Sequence, residues 1–69
     1  MKLYDVVRLK QDVLDMPKDS TGTIIEWWAP GVWEVEFHKS KNPTAPPSLL
    51  TVREEEMELE LEYEDTYAR

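Results

Sequence analysis

The chain has 69 residues, no cysteine and a net charge of −7. That length supports one small domain with a thin core, and without cysteine both disulfides and thiolate metal sites are excluded. Cohesion must then come from packing, for which three Trp, three Tyr and one Phe are well suited.

The charge is unevenly placed. Residues 1–53 carry equal numbers of acidic and basic side chains, so the whole net charge lies in residues 54–69. Nucleic acid is a poor partner for such a chain, because phosphate binding needs Lys and Arg in excess. A protein partner with a basic surface fits better. The alternative is a solvated acidic face that serves solubility. No run approaches the ~18 apolar residues of a membrane span. The first residues, Met1-Lys2-Leu3-Tyr4-Asp5, turn charged at once and do not read as a signal peptide. The expectation is a cytoplasmic protein with no membrane partner.

Residues 5–10 form the first strand expected, with Val7 and Leu9 on one face and Arg8 and Lys10 on the other. Residues 12–20 follow as a loop ending in the turn formers Pro17, Lys18, Asp19 and Ser20, with Val13, Leu14 or Met16 packed beneath it. A single helical turn at residues 11–15 is the alternative, too short to stand alone. Gly22 opens a hairpin over residues 22–37 that holds all three tryptophans. A Gly before a β-branched run points to a close approach that a side chain would block.

Two registers compete in this hairpin. A three-residue loop, Ala29-Pro30-Gly31, sets Trp27 against Trp33 and Ile25 against Val35. It collects Ile25, Trp27, Trp33, Val35 and Phe37 on one apolar face, with Glu26, Glu34 and Glu36 opposite. A two- or four-residue loop pairs Trp28 with Trp33 and drags Glu26 into the apolar face, where an unpaired carboxylate is costly. The first register is favoured, and a bulge near Ile24 and Ile25 would reconcile the two. Trp28 then points outward beside Val32.

Residues 38–47 read as a loop, extended at Ala45-Pro46-Pro47. Residues 48–52 form a fourth strand with Leu50 and Val52 inward, and residues 53–56 suit one 3₁₀ turn. Met57, Leu59, Leu61 and Tyr63 then alternate strictly with Glu58, Glu60, Glu62 and Glu64. That is the pattern of a half-buried strand. Residues 65–69 are expected as a frayed tail to a single domain over residues 1–64. Five short strands with turns between them describe an all-β, strongly bent antiparallel barrel, since closure limits exposed edges.

No phosphate loop, Gly-x-Ser-x-Gly or His-Glu-x-x-His motif occurs, and His38 is the only histidine. The reading is non-enzymatic, with no cofactor and no metal. Alternate residues on a strand lie about 7 Å apart, which suits Glu58, Glu60 and Glu62 to a row of basic groups rather than to one cation. Trp28, beside Val32 and the Pro30-Gly31 turn, is the outward aromatic most suited to contact. The partner-binding candidates are therefore Trp28, Val32, Glu58, Glu60 and Glu62.

The run Tyr4-Asp-Val-Val-Arg-Leu9, followed by Gly22-Thr-Ile-Ile-Glu26, Gly31-Val-Trp-Glu-Val-Glu-Phe37 and Leu50-Thr-Val52, resembles the bacterial family called domain of unknown function 4926, over about residues 3–61. Trp33 stands where that family usually has Tyr, and the Glu-rich end is more acidic than the family pattern. More loosely, the chain is similar to other SH3-like barrels, including the KOW type and the ferredoxin-docking subunits of photosynthetic complexes. The resemblance implies a small five-stranded SH3-like (KOW-like) barrel and supplies no catalytic residues. The acidic end argues against a surface for docking an acidic ferredoxin.

The function expected from these residues is a small acidic protein-binding module, monomeric or weakly dimeric. An immunity protein or antitoxin that masks a basic partner is the favoured form. The alternatives are an RNA- or ribosome-associated KOW-like module and a small accessory subunit of a larger complex.

Overall fold

In the computed structural model, which describes residues 1–37 and 47–64, the strands are β1 (Val6–Leu9), β2 (Thr21–Ala29), β3 (Val32–Phe37), β4 (Ser48–Arg53) and β5 (Met57–Leu61). All neighbours are antiparallel, in the order β4-β3-β2-β1-β5. The two edge strands, β4 and β5, are consecutive in sequence and joined by the three-residue 3₁₀ turn Glu54–Glu56. A sheet whose opposite edges are linked by so short a connection must curl back on itself, as in SH3-like folds. No ladder joins β4 to β5 among the described residues, so the sheet stays open along that seam. Two backbone bonds tie the two ends of that 3₁₀ turn to the sheet on either side. Lys10 N–H donates to the Glu56 carbonyl at 2.9 Å, and Glu54 N–H donates to the Gly31 carbonyl at 2.8 Å.

The core follows the period-two pattern of the strands. Val7 and Leu9 from β1, Ile24 from β2, Trp33, Val35 and Phe37 from β3, Val52 from β4 and Met57 from β5 are buried together, with Leu50 packed against them. The loop between β1 and β2 adds Val13 and Met16. These two exchange backbone hydrogen bonds of 2.9 Å across a tight turn, so the segment is a two-residue turn and not a helix. Leu14 sits at its tip, 84% exposed, with φ +52°. Of the three residues expected beneath this loop, Val13 and Met16 are there and Leu14 is not.

Gly22 lies directly opposite Phe37. A Cβ there would come within 2.7 Å of the Glu36 carbonyl oxygen and 2.8 Å of side-chain atoms of Phe37 and Val35. The close approach is the reason for glycine at this position.

The hairpin differs in register from the expectation. Trp27 does face Trp33, but Val35 faces Ile24, and Ala29 faces Val32 across the two-residue turn Pro30-Gly31. Gly31 has the positive φ, +74°, that the second central position of such a turn requires. Two irregularities take up the difference: Ile25 and Trp28 are extra residues on β2 with no counterpart on β3. The bulge at Ile25 keeps Glu26 off the core, opposite Glu34. It also changes which isoleucine is inside: Ile24 is buried and Ile25 only half-buried.

Trp27, expected in the core, is 53% exposed. β1 pairs with β2 only at Thr21, Gly22 and Thr23, so the far half of β2 has β3 on one side and no strand on the other. Nothing among the described strands extends far enough to cover Trp27. The expected loop at residues 38–47, including His38, lies outside the described residues except for Pro47, and so does the tail at residues 65–69.

Candidate functional site

The site is built around Asp5. It is in phase with Val7 and Leu9, so the strand pattern carries it to the core side of β1, where it is 1% exposed. Its Oδ1 accepts from Lys2 Nζ at 2.9 Å and from the Tyr63 backbone N–H at 2.8 Å. Oδ2 accepts from the Lys2 backbone N–H at 3.0 Å. Burial opposes the charge, but the Tyr63 amide and the Lys2 ammonium and amide outweigh it and hold the Asp5 pKa below its usual value. The bond to Asp5 in turn raises the Lys2 ammonium above its usual value against some desolvation, and Glu62 adds to this. Asp5 thus ties the start of the chain to the residues beyond β5.

On the outer face of β1 and β5, Arg8 stands opposite Glu58. Its Nη2 donates to Glu58 Oε1 at 2.6 Å, its Nε lies 3.6 Å from Glu60 Oε2, and its Nη1 lies 3.9 Å from Asp19 Oδ1. Lys2 Nζ is 3.2 Å from Glu62 Oε1. The predicted carboxylate row is thus broken at the bulge: Glu58 and Glu60 gather on Arg8, while Glu62 is held by Lys2 beside Asp5, and each of the three faces a cation of the same chain. Arg8 serves three carboxylates at once, so the face remains acidic. Among the described residues no group of three or more His, Asp or Glu is placed to hold a metal ion.

The apolar side of β5 is where the expectation fails. Met57 is buried, but Leu59 is 45% and Leu61 65% exposed, and Tyr63 is exposed as well. Two causes are visible. β5 is an edge strand, covered by β1 alone. Its register against β1 also slips: Val7 faces Leu59 and the adjacent Val6 faces Leu61, so Glu60 is an extra residue. The bulge turns Leu61 toward Val6, away from the face that Val7 shares with the core. Leu61 and Val6 there line an open depression of about 400 Å³ together with Tyr4, Tyr63, Glu62 and Glu64. The rings of Tyr4 and Tyr63 meet edge to face, 5.6 Å between centroids. Tyr4 holds φ +73°, a conformation that is uncommon for any residue with a side chain. The hydrogen bond from its N–H to the Ile24 carbonyl, 2.7 Å, fixes it there.

Trp28 is the extra residue of the second bulge on β2 and is 57% exposed, as expected. Its Nε1 donates to Glu34 Oε1 at 3.3 Å. Val32 is half-buried and faces Arg53. Trp33 is fixed differently, its Nε1 donating to Glu54 Oε2 at 2.7 Å and so tying β3 to the 3₁₀ turn. Two groups of predicted contact residues result. Glu58 and Glu60 meet at Arg8 on β1 and β5, with Glu62 and Lys2 just beyond the strand ends, while Trp28 and Val32 lie at the hairpin end. No hydrogen bond or ion pair among the described residues joins the two.

A family model described as Domain of unknown function (DUF4926) matches residues 3–59. The chain belongs to this family. No curated protein and no solved structure matches it significantly. The DUF4926 match takes in Tyr4, Asp5, Arg8, Trp28 and Glu58 and stops before Glu60, Leu61 and Tyr63. The acidic row and the aromatic depression of this DUF4926 domain thus straddle the end of the matched stretch.

Sequence reasoning missed Tyr4, Leu61 and Tyr63 as parts of one surface, and Asp5 as the buried group that holds Tyr63 there. A signal for Asp5 was present, since a carboxylate in phase with Val7 and Leu9 must either be paired or break the strand. For Leu61 and Tyr63 the signal pointed the other way, because strict alternation reads as burial.

Proposed function

We propose that this DUF4926 chain is a non-enzymatic protein-binding module that docks the basic surface of a partner protein on the outer face of β1 and β5. One observation carries this reading. The strand with the cleanest amphipathic pattern in the chain leaves Leu61, and Tyr63 just past it, uncovered beside carboxylates in excess of their cations. An exposed apolar patch rimmed by charge is the usual anatomy of an interaction site. Complementary charge speeds association and selects the partner. An immunity protein or antitoxin that masks a basic partner fits this anatomy, acting in the cytoplasm. RNA fits it less well: Lys2, Arg8 and Arg53 each face carboxylates of the chain itself, which compete with phosphates for them.

The test is a titration with a hexa-arginine peptide over a salt series. Replacing Glu58, Glu60 and Glu62 together by Gln is expected to weaken binding about 10-fold at low salt and to flatten the salt dependence, because the steering charge is gone. Unchanged affinity and slope in the triple variant would sink the reading.

A further inference from the structure

Three separate devices converge on the depression between Tyr4 and Tyr63. The backbone of Tyr4 is held at φ +73°, which a non-glycine residue adopts at some cost. The bulge at Glu60 turns Leu61 out of the core face to meet Val6. Buried Asp5 grips the Tyr63 amide and sets that residue beside Tyr4. None of the three is needed to bury the core, whose members all lie elsewhere. Their joint effect is an apolar and aromatic floor with Glu62 and Glu64 at its rim.

We infer that this depression is an anchor site for a single arginine side chain of the partner, its stem on Tyr4, Val6, Leu61 and Tyr63 and its guanidinium against Glu62 and Glu64. The inference rests on the proposed basic partner and adds which group does the anchoring. Charge complementarity selects a cation, since the charged groups that line the depression are carboxylates, Glu64 and a Glu62 whose one cation, Lys2, is shared with Asp5. The floor selects one with a long apolar stem, because such side chains bury the stem and keep the charge in water. Two tyrosine rings favour guanidinium over ammonium, since guanidinium stacks on aromatic faces and is the more weakly hydrated. The site adjoins the Arg8–Glu58–Glu60 cluster along β1 and β5, so one basic segment can reach both.

The experiment compares hexa-arginine with a hexamer of 2-amino-3-guanidinopropionic acid, which carries the same guanidinium on a single methylene. Binding is followed by NMR of the Tyr4 and Tyr63 rings and the Leu61 methyls. Hexa-arginine is expected to bind about 10-fold more tightly, because its longer stem covers more apolar surface, and to shift all three sets of signals. Tyr4→Gly, which suits the positive φ, is expected to erase the preference while keeping Tm. Glu58→Gln with Glu60→Gln is expected to weaken both peptides alike and leave the preference intact. Equal affinity for the two hexamers, with the ring signals unmoved, overturns the anchor while leaving the basic-partner reading standing. Failure of both hexamers to bind at low salt overturns the anchor and the basic-partner reading together. Ring signals that shift with protein concentration alone would put a second copy of the chain in the depression and overturn the anchor as well.

Discussion

β3 and β5 are written in the same code. Val32-Trp-Glu-Val-Glu-Phe37 and Met57-Glu-Leu-Glu-Leu-Glu-Tyr63 both alternate apolar residues with glutamates. In β3 the pattern is fulfilled: Trp33, Val35 and Phe37 are all buried. In β5 only Met57 is. The difference lies in neighbours. β3 is paired on both sides along its length, with β2 and β4, whereas β5 has β1 alone and slips register against it. Alternation thus encodes a face and its chemistry. Whether the face is covered depends on where the strand falls in the sheet, and a face left uncovered on an edge is available to a partner.

The largest effect expected from this contrast is in the core of β3. Phe37→Ala should destabilise by about 3–5 kcal/mol, since it removes a fully buried ring and leaves a cavity. Leu61→Ala should fall within about 0.5 kcal/mol, as exposed substitutions do. Urea unfolding of the two variants checks the contrast directly. Equal losses would mean that the β5 face is buried after all.

Next comes Asp5, which holds the β5 end in place. Asp5→Ala removes the acceptor of three hydrogen bonds and should lower stability by about 1.5–3 kcal/mol, the range for hydrogen bonds to a charged group. The pH dependence has a definite sign. The folded pKa of Asp5 is lowered from 3.8, so its contribution is fully present well above that value and is lost as pH falls through the lower folded one. Acid unfolding of the native chain should therefore show a loss of stability below pH ~4 that the Ala variant lacks. Parallel pH curves would remove Asp5 from its anchoring role. Gly22→Ala tests the β3 side instead. Its methyl group would press on Phe37, Val35 and the Glu36 carbonyl, and overpacking of this kind costs about 1–3 kcal/mol. Thermal unfolding should show it, and an unchanged Tm would mean that the hairpin gives way at little cost.

How far the sequence could be read follows the same division. The five strands, the 3₁₀ turn at Glu54–Glu56, the close approach at Gly22 and the inward sets of β1, β3 and β4 were legible because each depends on short-range periodicity or on one turn residue. A bulge near Ile24 and Ile25 was legible, but not which isoleucine it leaves inside, since that depends on register. Trp27, still opposite Trp33, is exposed because β1 does not reach that half of β2. The acidic strand was legible, but not the bulge at Glu60 that sets Glu62 apart from Glu58. Nor was the pairing of its carboxylates with Arg8 and Lys2, since that depends on which strand lies next to β5. Tyr4 and Tyr63 are separated by almost the whole chain, and the β1–β5 pairing at Val6 and Leu61 with the Asp5 hydrogen bond brings them together.

The smallest stability effect is the most telling about function. Tyr4→Gly removes a side chain that is more than half exposed and relieves a positive φ. Relief of such strain is worth about 1 kcal/mol or more, and loss of the edge-to-face contact with Tyr63 costs about 0.5–1.5 kcal/mol. The two nearly cancel, so Tm should hardly move. A residue retained only for stability would gain nothing from being tyrosine here, because glycine fits the backbone better. If Tm stays level while arginine-peptide binding falls, the ring serves the surface rather than the fold. If Tm drops by as much as it does for a core truncation, Tyr4 belongs to the packed structure, and the contrast between a finished β3 and an unfinished β5 narrows to Leu59 and Leu61.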